Sequence, residues 1–201
     1  MSDYGTCIRE GCARPLKLAG TGRIPKFCSG RCRVAAHRAK RPPEAMTSRN
    51  RWVRWKPVPR FSGKVTKAPL TPSGALASST NAKTWSSFAA VESATHIGVG
   101  TGFVLGDGIG CIDLDHCLVD GELLPWAQTI LDRCPPTFTE VSPSGDGLHI
   151  FGLLEPGPGR GQRGGDGIEF YSTGRYMTIT GIPWPGSTRT LADLNTVVAT
   201  L

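Results

Sequence analysis

GIGCIDLDHC, residues 108–117, is the stretch that decides the fold. From Ile112 apolar and acidic residues alternate, the period of a strand with one buried face. Residues two apart on a strand share a face, roughly 6–7 Å from each other. Ile112 and Leu114 then face a core, while Asp113 and Asp115 face outward together. Two carboxylates on one rigid face suit Mg²⁺ or Mn²⁺ bound with substrate phosphates. Paired acids at strand ends are also common as plain solvated groups, so the motif needs partners elsewhere in the chain.

Two later stretches supply them. In SPSGDGLHIF (142–151), Ser142 and Ser144 flank a proline, and Gly145 and Gly147 free the backbone. Small hydroxyls and glycines let donors approach a phosphate closely. His149 alternates with Leu148 and Ile150, which predicts an imidazole facing away from the core and able to donate to an anion. In GIEFYSTGRY (167–176), Glu169 alternates with Ile168 and Phe170, and Arg175 follows a turn, placed to meet phosphate bidentately. Three strands, each with polar groups facing one way, are far less expected by chance than one.

Outward from these motifs the body reads as mixed α/β or α+β. Trp52–Lys56 and IGVGTGFVLG (97–106) are strand-like, and residues 63–80 are turn-rich and polar. Asn81–Ala94 is expected as an amphipathic helix carrying Trp85, Phe88, Ala89 and Val91. Leu123–Cys134 is a second helix, stopped by Pro135 and Pro136. Two hairpins are predicted: TFTEVS with LHIFGLL, and IEFY with YMTIT. ADLNTVVATL (192–201) ends the chain as a short helix. The run GPGRGQRGGDG (157–167) reads as a mobile loop whose Arg160 and Arg163, with Arg175, hold triphosphate or template.

The 201 residues, 39% of them hydrophobic, suffice for one medium-sized domain and a small appendage. No apolar run approaches a membrane span, and the polar start does not read as a signal peptide, so a soluble, cytoplasmic protein without membrane contact is expected. Residues 1–64 hold 16 Lys/Arg against 3 Asp/Glu (+13), and residues 65–201 hold 7 against 13 (−6), giving the net +7. A basic arm beside an acidic body suits phosphate neutralisation. Four of the seven cysteines, Cys7, Cys12, Cys28 and Cys32, form two close pairs in that arm. Four thiolates that converge suit Zn²⁺, which would also supply the folding energy so short a segment lacks. Cys111, Cys117 and Cys134 read as small buried apolar residues. After the second pair, RVAAHRAKR has helix-forming composition and would present Arg31, Arg33, Arg38, Lys40 and Arg41. His37 is a substitute ligand or a solvent-facing residue. The expected division is 1–40 zinc module, 41–51 linker and 52–201 catalytic domain.

The cysteine pairs leading into a helix resemble a treble-clef zinc finger. The order DLDH, SPSGDGLHI, IEFYSTGRYMTITG resembles the three motifs of the archaeo-eukaryotic primase superfamily, and most closely the primase-polymerase domains of phages and plasmids. The resemblance covers about residues 52–185. It implies an RNA-recognition-like catalytic sheet with an added α/β unit. It makes Asp113, Asp115 and Glu169 the catalytic metal ligands, and Ser142, Ser144, His149 and Arg175 the nucleotide-binding residues. It implies two-metal nucleotidyl transfer on a single-stranded DNA template, with NTP or dNTP as substrate, in replication of a phage, plasmid or other mobile element. Many relatives have Asp where this chain has Glu169, one methylene longer. Larger relatives carry a helicase; this sequence has no GxxxxGK[ST] motif, so a separate helicase is the expected partner. A metal-dependent nuclease and a non-catalytic single-strand-binding zinc protein are the alternatives.

Overall fold

A computed structural model of the chain describes residues 5–9, 11–17, 24–63, 65–161 and 167–201. It comprises two units, Met1–Arg41 and Pro42–Leu201. In the first, Thr6 and Pro15 form an antiparallel bridge whose turn carries Cys12. Cys7 N–H donates to the Arg14 carbonyl at 2.9 Å, and Cys12 N–H donates to that of Arg9 at 3.0 Å. Helix α1 (Gly30–Ala39) follows the second cysteine pair; Ser29 caps it, its Oγ accepting from Cys32 N–H at 3.2 Å. Arg31, Arg33, Arg38 and Lys40 are exposed along α1 and its C-cap. The side chain of His37 lies outside the described residues.

The second unit begins with α2 (Glu44–Thr47), then β1 (Trp52–Pro59), β2 (Val65–Leu70), a short 3₁₀ turn at Ala82–Thr84 and α3 (Phe88–Ser93). Next come β3 (Gly100–Val104), β4 (Ile109–Asp115), the small pair β5 (Leu118–Val119) and β6 (Glu122–Leu123), and α4 (Pro125–Arg133). It finishes with β7 (Thr139–Val141), β8 (Leu148–Leu153), β9 (Arg160–Gly161), β10 (Gly167–Tyr171), β11 (Tyr176–Ile179), β12 (Ala192–Asp193) and α5 (Asn195–Val198). Mixed helix and sheet is therefore the observed class. One sheet has the order β11-β3-β1-β2. The other runs β12-β8-β4-β10-β9, with β7 also paired to β8. In the larger sheet α4 carries the chain from β4 to β7, and β8 returns antiparallel between those two, a split β-α-β unit.

Strand alternation sorts the core into two layers. Even-numbered Ile112, Leu114, Leu148, Ile150 and Ile168 pack with Ala127 and Ile130 of α4 and Val197 of α5. On the other face Ile109, Cys111 and Phe151 pack with Trp52, Phe103, Met177 and Ile179 of the smaller sheet. Cys111 and Cys117 are buried and Cys134 half-buried, as apolar filler would be; burial pushes the Cys117 and Cys134 thiols up to about 11.

Several expectations need correction. IEFY and YMTIT are strands but not a hairpin: β10 pairs with β4 and β9, whereas β11 pairs with β3 in the other sheet. Both edges of β10 are thus occupied, and the chain crosses between sheets at Ser172–Arg175. The β3–β4 segment crosses alongside it, through a tight corner with positive φ at Gly106, Asp107 and Gly108. Leu105 N–H donates to the Arg175 carbonyl at 2.9 Å there. Asn81–Ala94 is not one helix, because Ser86 pairs with Trp52 through two backbone bonds (2.9 and 3.0 Å) and Ser87 caps a new helix from Phe88, its Oγ accepting from Ala90 N–H. Residues 63–80 contain β2, whose alternation proline and threonine had obscured. Residues 41–51, expected as a linker, include α2, with Met46 fully buried and its carbonyl accepting from Trp52 Nε1 at 3.1 Å. Arg160 pairs in β9 within the glycine-rich run, while Arg163 lies outside the described residues.

Candidate active site

Register places four polar side chains in one row across the larger sheet. Glu140 of β7 lies opposite His149 of β8, His149 opposite Asp113 of β4, and Asp113 opposite Glu169 of β10. Asp115 sits two residues on, opposite Gly167, where a Cβ would come within 2.8 Å of the Asp115 Cβ, so only glycine leaves that carboxylate room. The row occupies the end of a face that begins with buried Ile109 and Cys111. It is therefore not the open outer face expected. The smaller sheet covers it, and His149 is buried.

The carboxylates of Asp113, Asp115 and Glu169 each bring an oxygen within 4.8 Å of the others. Asp113 Oδ1 is buried and has no hydrogen-bond partner. Burial pushes the Asp113 carboxyl up to about 6; nearby Asp115 and Glu169 push the same way, and His149 opposes them. An orphaned oxygen among three converging carboxylates is costly as it stands and is relieved by a hard divalent cation. The donor set therefore fits Mg²⁺ or Mn²⁺.

Surrounding groups orient the row. His149 Nδ1 lies 3.1 Å from the Thr178 carbonyl, an acceptor only, so Nδ1 carries the proton and Nε2 points toward Asp113 Oδ1 at 3.6 Å. Glu140, fully buried, accepts from the backbone N–H groups of Thr180 (2.9 Å) and Gly181 (3.1 Å) and lies 3.7 Å from His149 Nδ1. Glu169 Oε2 accepts from the Tyr171 hydroxyl (2.7 Å) and from Arg175 (3.1 Å), and the Arg175 guanidinium stacks 4.0 Å over the Tyr171 ring. Arg175 is thus tied to a carboxylate rather than free, although it is about half exposed. Burial, then the Glu169 contact, raises the Tyr171 hydroxyl to about 12.

A cleft of about 500 Å³ opens between the sheets, lined by Asp113, His149, Arg175, Thr178, Lys67 and Ser79 among others. Ser142 and Ser144 do not line it. They hydrogen-bond each other at 2.8 Å in a loop whose Gly147 backs onto the Leu114 carbonyl, at the end of β4. Beside them Asp146 pairs with His116 at 2.6 Å, which raises the His116 pKa; the Ser144 hydroxyl, then His116, lower that of Asp146. Sequence reasoning missed Glu140, whose signal was a carboxylate inside the β-branched run TFTEVS. It also missed Lys67 and Ser79, hidden in the stretch read as turns.

In the amino-terminal unit the four cysteine sulfurs lie within 4.8 Å of one another, with Sγ–Sγ separations of 3.7 Å (Cys12–Cys32), 3.8 Å (Cys12–Cys28) and 3.4 Å (Cys28–Cys32). A tetrahedron with Zn–S bonds of about 2.3 Å has edges of about 3.8 Å. A backbone N–H of Arg14 pulls the Cys12 thiol down to about 6, while neighbouring sulfurs hold Cys28 up at about 11. Thiols this close do not all ionise without a cation among them, so the cluster fits Zn²⁺.

Among the described residues no helix is long and apolar enough to cross a membrane. No protein-family model matches the chain. Over 154 residues, 71% of this chain, it is 36% identical to the DNA primase-polymerase of Nitratiruptor phage NrS-1. The chain spans 21% of that relative's length. Through that shared stretch the chain belongs with the phage primase-polymerases.

Proposed function

We propose that Pro42–Leu201 is a nucleotidyl-transfer module that extends DNA or RNA on a single-stranded DNA template during phage or mobile-element replication. The observation that carries this reading is the acidic row with its unpartnered Asp113 oxygen, set in a cleft with cationic groups on its walls. Asp113, Asp115 and Glu169 would hold two Mg²⁺ or Mn²⁺ ions, which lower the pKa of a 3′-hydroxyl and offset charge on the leaving pyrophosphate. His149, its Nδ1–H committed to Thr178, presents Nε2 toward the cleft, where with both ring nitrogens protonated it donates to a triphosphate oxygen. Lys67 and Arg175 balance phosphate charge from the opposite wall and the corner. Arg175 reaches phosphate by leaving Glu169, an exchange that costs little at a half-exposed ion pair. Ser142 and Ser144 hold the loop at the end of β4, where the triphosphate tail would lie. The zinc-held arm, with Arg31, Arg33, Arg38 and Lys40 exposed, neutralises template phosphates.

The test incubates the chain with labelled nucleotides, Mg²⁺ or Mn²⁺ and single-stranded DNA, with and without a primer. Products longer than a nucleotide are expected, and they should vanish in Asp113→Ala and Asp115→Ala. Shortened DNA would instead assign a nuclease. Binding without incorporation under either metal would leave a single-strand-binding protein.

A further inference from the structure

The most exposed large apolar side chain among the described residues is Phe61, 113% accessible, at the tip joining β1 to β2. A benzyl group held fully in water at a turn is a poor choice for folding, since Gly63 (φ +77°) and the Gly63 N–H to Arg60 carbonyl bond (2.9 Å) already make the turn. Its surroundings are all of one charge. Residues 45–91 contain eight Lys or Arg and no Asp or Glu. Register puts Pro57 opposite Lys67 and Pro59 opposite Val65, and residues directly opposite share a face. All four are exposed, and Val65 and Lys67 line the cleft that holds Asp113. An apolar, cationic face therefore runs from the acidic row out to Phe61.

The geometry of β1 argues against a protein strand as the occupant. Its pairing with β3 ends at Trp55, so the edge beyond is open, and there Pro57 and Pro59 remove the N–H groups that an added strand would need. Aromatic stacking beside cationic side chains, without an available edge, is how single-stranded nucleic acid is gripped without sequence preference. We infer that the β1–β2 hairpin is a single-strand grip: Phe61 stacks on a base, and Lys67, on the face shared with Pro57, Pro59 and Val65, meets a flanking phosphate. The grip deepens the polymerase reading by giving the strand a path out of the cleft.

The experiment uses the full chain and an oligothymidylate carrying one 5-iododeoxyuridine, which crosslinks to aromatic side chains on irradiation. The crosslink is expected in the peptide containing Phe61 and should be lost in Phe61→Ala. Affinity, read by fluorescence anisotropy, should fall roughly tenfold in Phe61→Ala and Phe61→Leu and be kept by Phe61→Trp, the order stacking predicts. Phe61 is fully exposed among the described residues, so these variants fold. No crosslink at the tip, or wild-type affinity in Phe61→Leu, overturns the grip. Concentration-dependent self-association abolished by Phe61→Ala, without a crosslink, assigns the tip to a second copy and also overturns it. Binding is read without synthesis, so failure to incorporate nucleotides would sink the polymerase reading alone.

Discussion

Asp113→Asn should make the protein more stable while removing its activity. The Asp113 carboxyl is held at about 6 instead of the ordinary 3.8, chiefly by burial. A carboxyl raised in the folded state binds more protons folded than unfolded between those values, so stability falls as pH rises through the window. The penalty is absent below about 3.8 and complete above about 6. It amounts to about 3 kcal/mol at pH 8 and about half that at pH 5. Asparagine keeps the shape and removes the charge. Denaturant unfolding without Mg²⁺ or Mn²⁺, in buffer that leaves thiolate-held zinc in place, should therefore show Asp113→Asn more stable by up to about 3 kcal/mol at pH 8. The gain should be visibly smaller at pH 5. Saturating Mn²⁺ should reverse the order, stabilising the wild type and leaving the variant where it was. A variant that is less stable than wild type at pH 8, or equally shifted at both pH values, would refute the account of Asp113 as a strained, cation-requiring group.

Glu140→Ala should cost about 1–3 kcal/mol, because it strands the half-buried backbone N–H groups of Thr180 and Gly181. Glu140→Gln, which keeps an acceptor, should cost less; unfolding curves of the two variants decide. Gly147→Ala should destabilise by about 1–3 kcal/mol, since its Cβ would meet the Leu114 carbonyl at 2.6 Å, which is backbone and cannot swing aside. Cys12→Ser should abolish bound zinc by elemental analysis and remove hydrogen-exchange protection from Met1–Arg41, while Pro42–Leu201 keeps its own. Affinity for single-stranded DNA should fall steeply with salt, and deleting residues 1–41 should flatten that slope.

The acidic strand was legible because Asp113 and Asp115 alternate with Ile112 and Leu114, and a one-residue period change would have been visible. Helix α4 was legible from its apolar spacing and proline stop, and the convergence of Cys7, Cys12, Cys28 and Cys32 from their two close pairs. What escaped was pairing at a distance. YSTGRY reads locally as a hairpin turn, and nothing near it tells that β4 and β9 already occupy both edges of β10. Likewise Trp85 and Phe88 have helical spacing, but Ser86 is taken by Trp52, more than thirty positions earlier. Glu140 drew no notice inside TFTEVS, because its burial depends on Thr180 and Gly181, forty positions away, closing over its carboxylate.

The double crossing of the chain between the two sheets has a consequence for how this protein can vary. β3 with β4 and β11 with β10 form one ribbon folded over a corner, so the match of Glu169 to Asp113 is counted from the same ladder that aligns Tyr176 with Val104. Adding or deleting a residue at Ser172–Arg175 or Leu105–Gly108 would slide one half of the ribbon against the other. Chain length at that corner is therefore held as tightly as the identity of the acids. Insertions belong elsewhere, in loops whose ends close on one sheet.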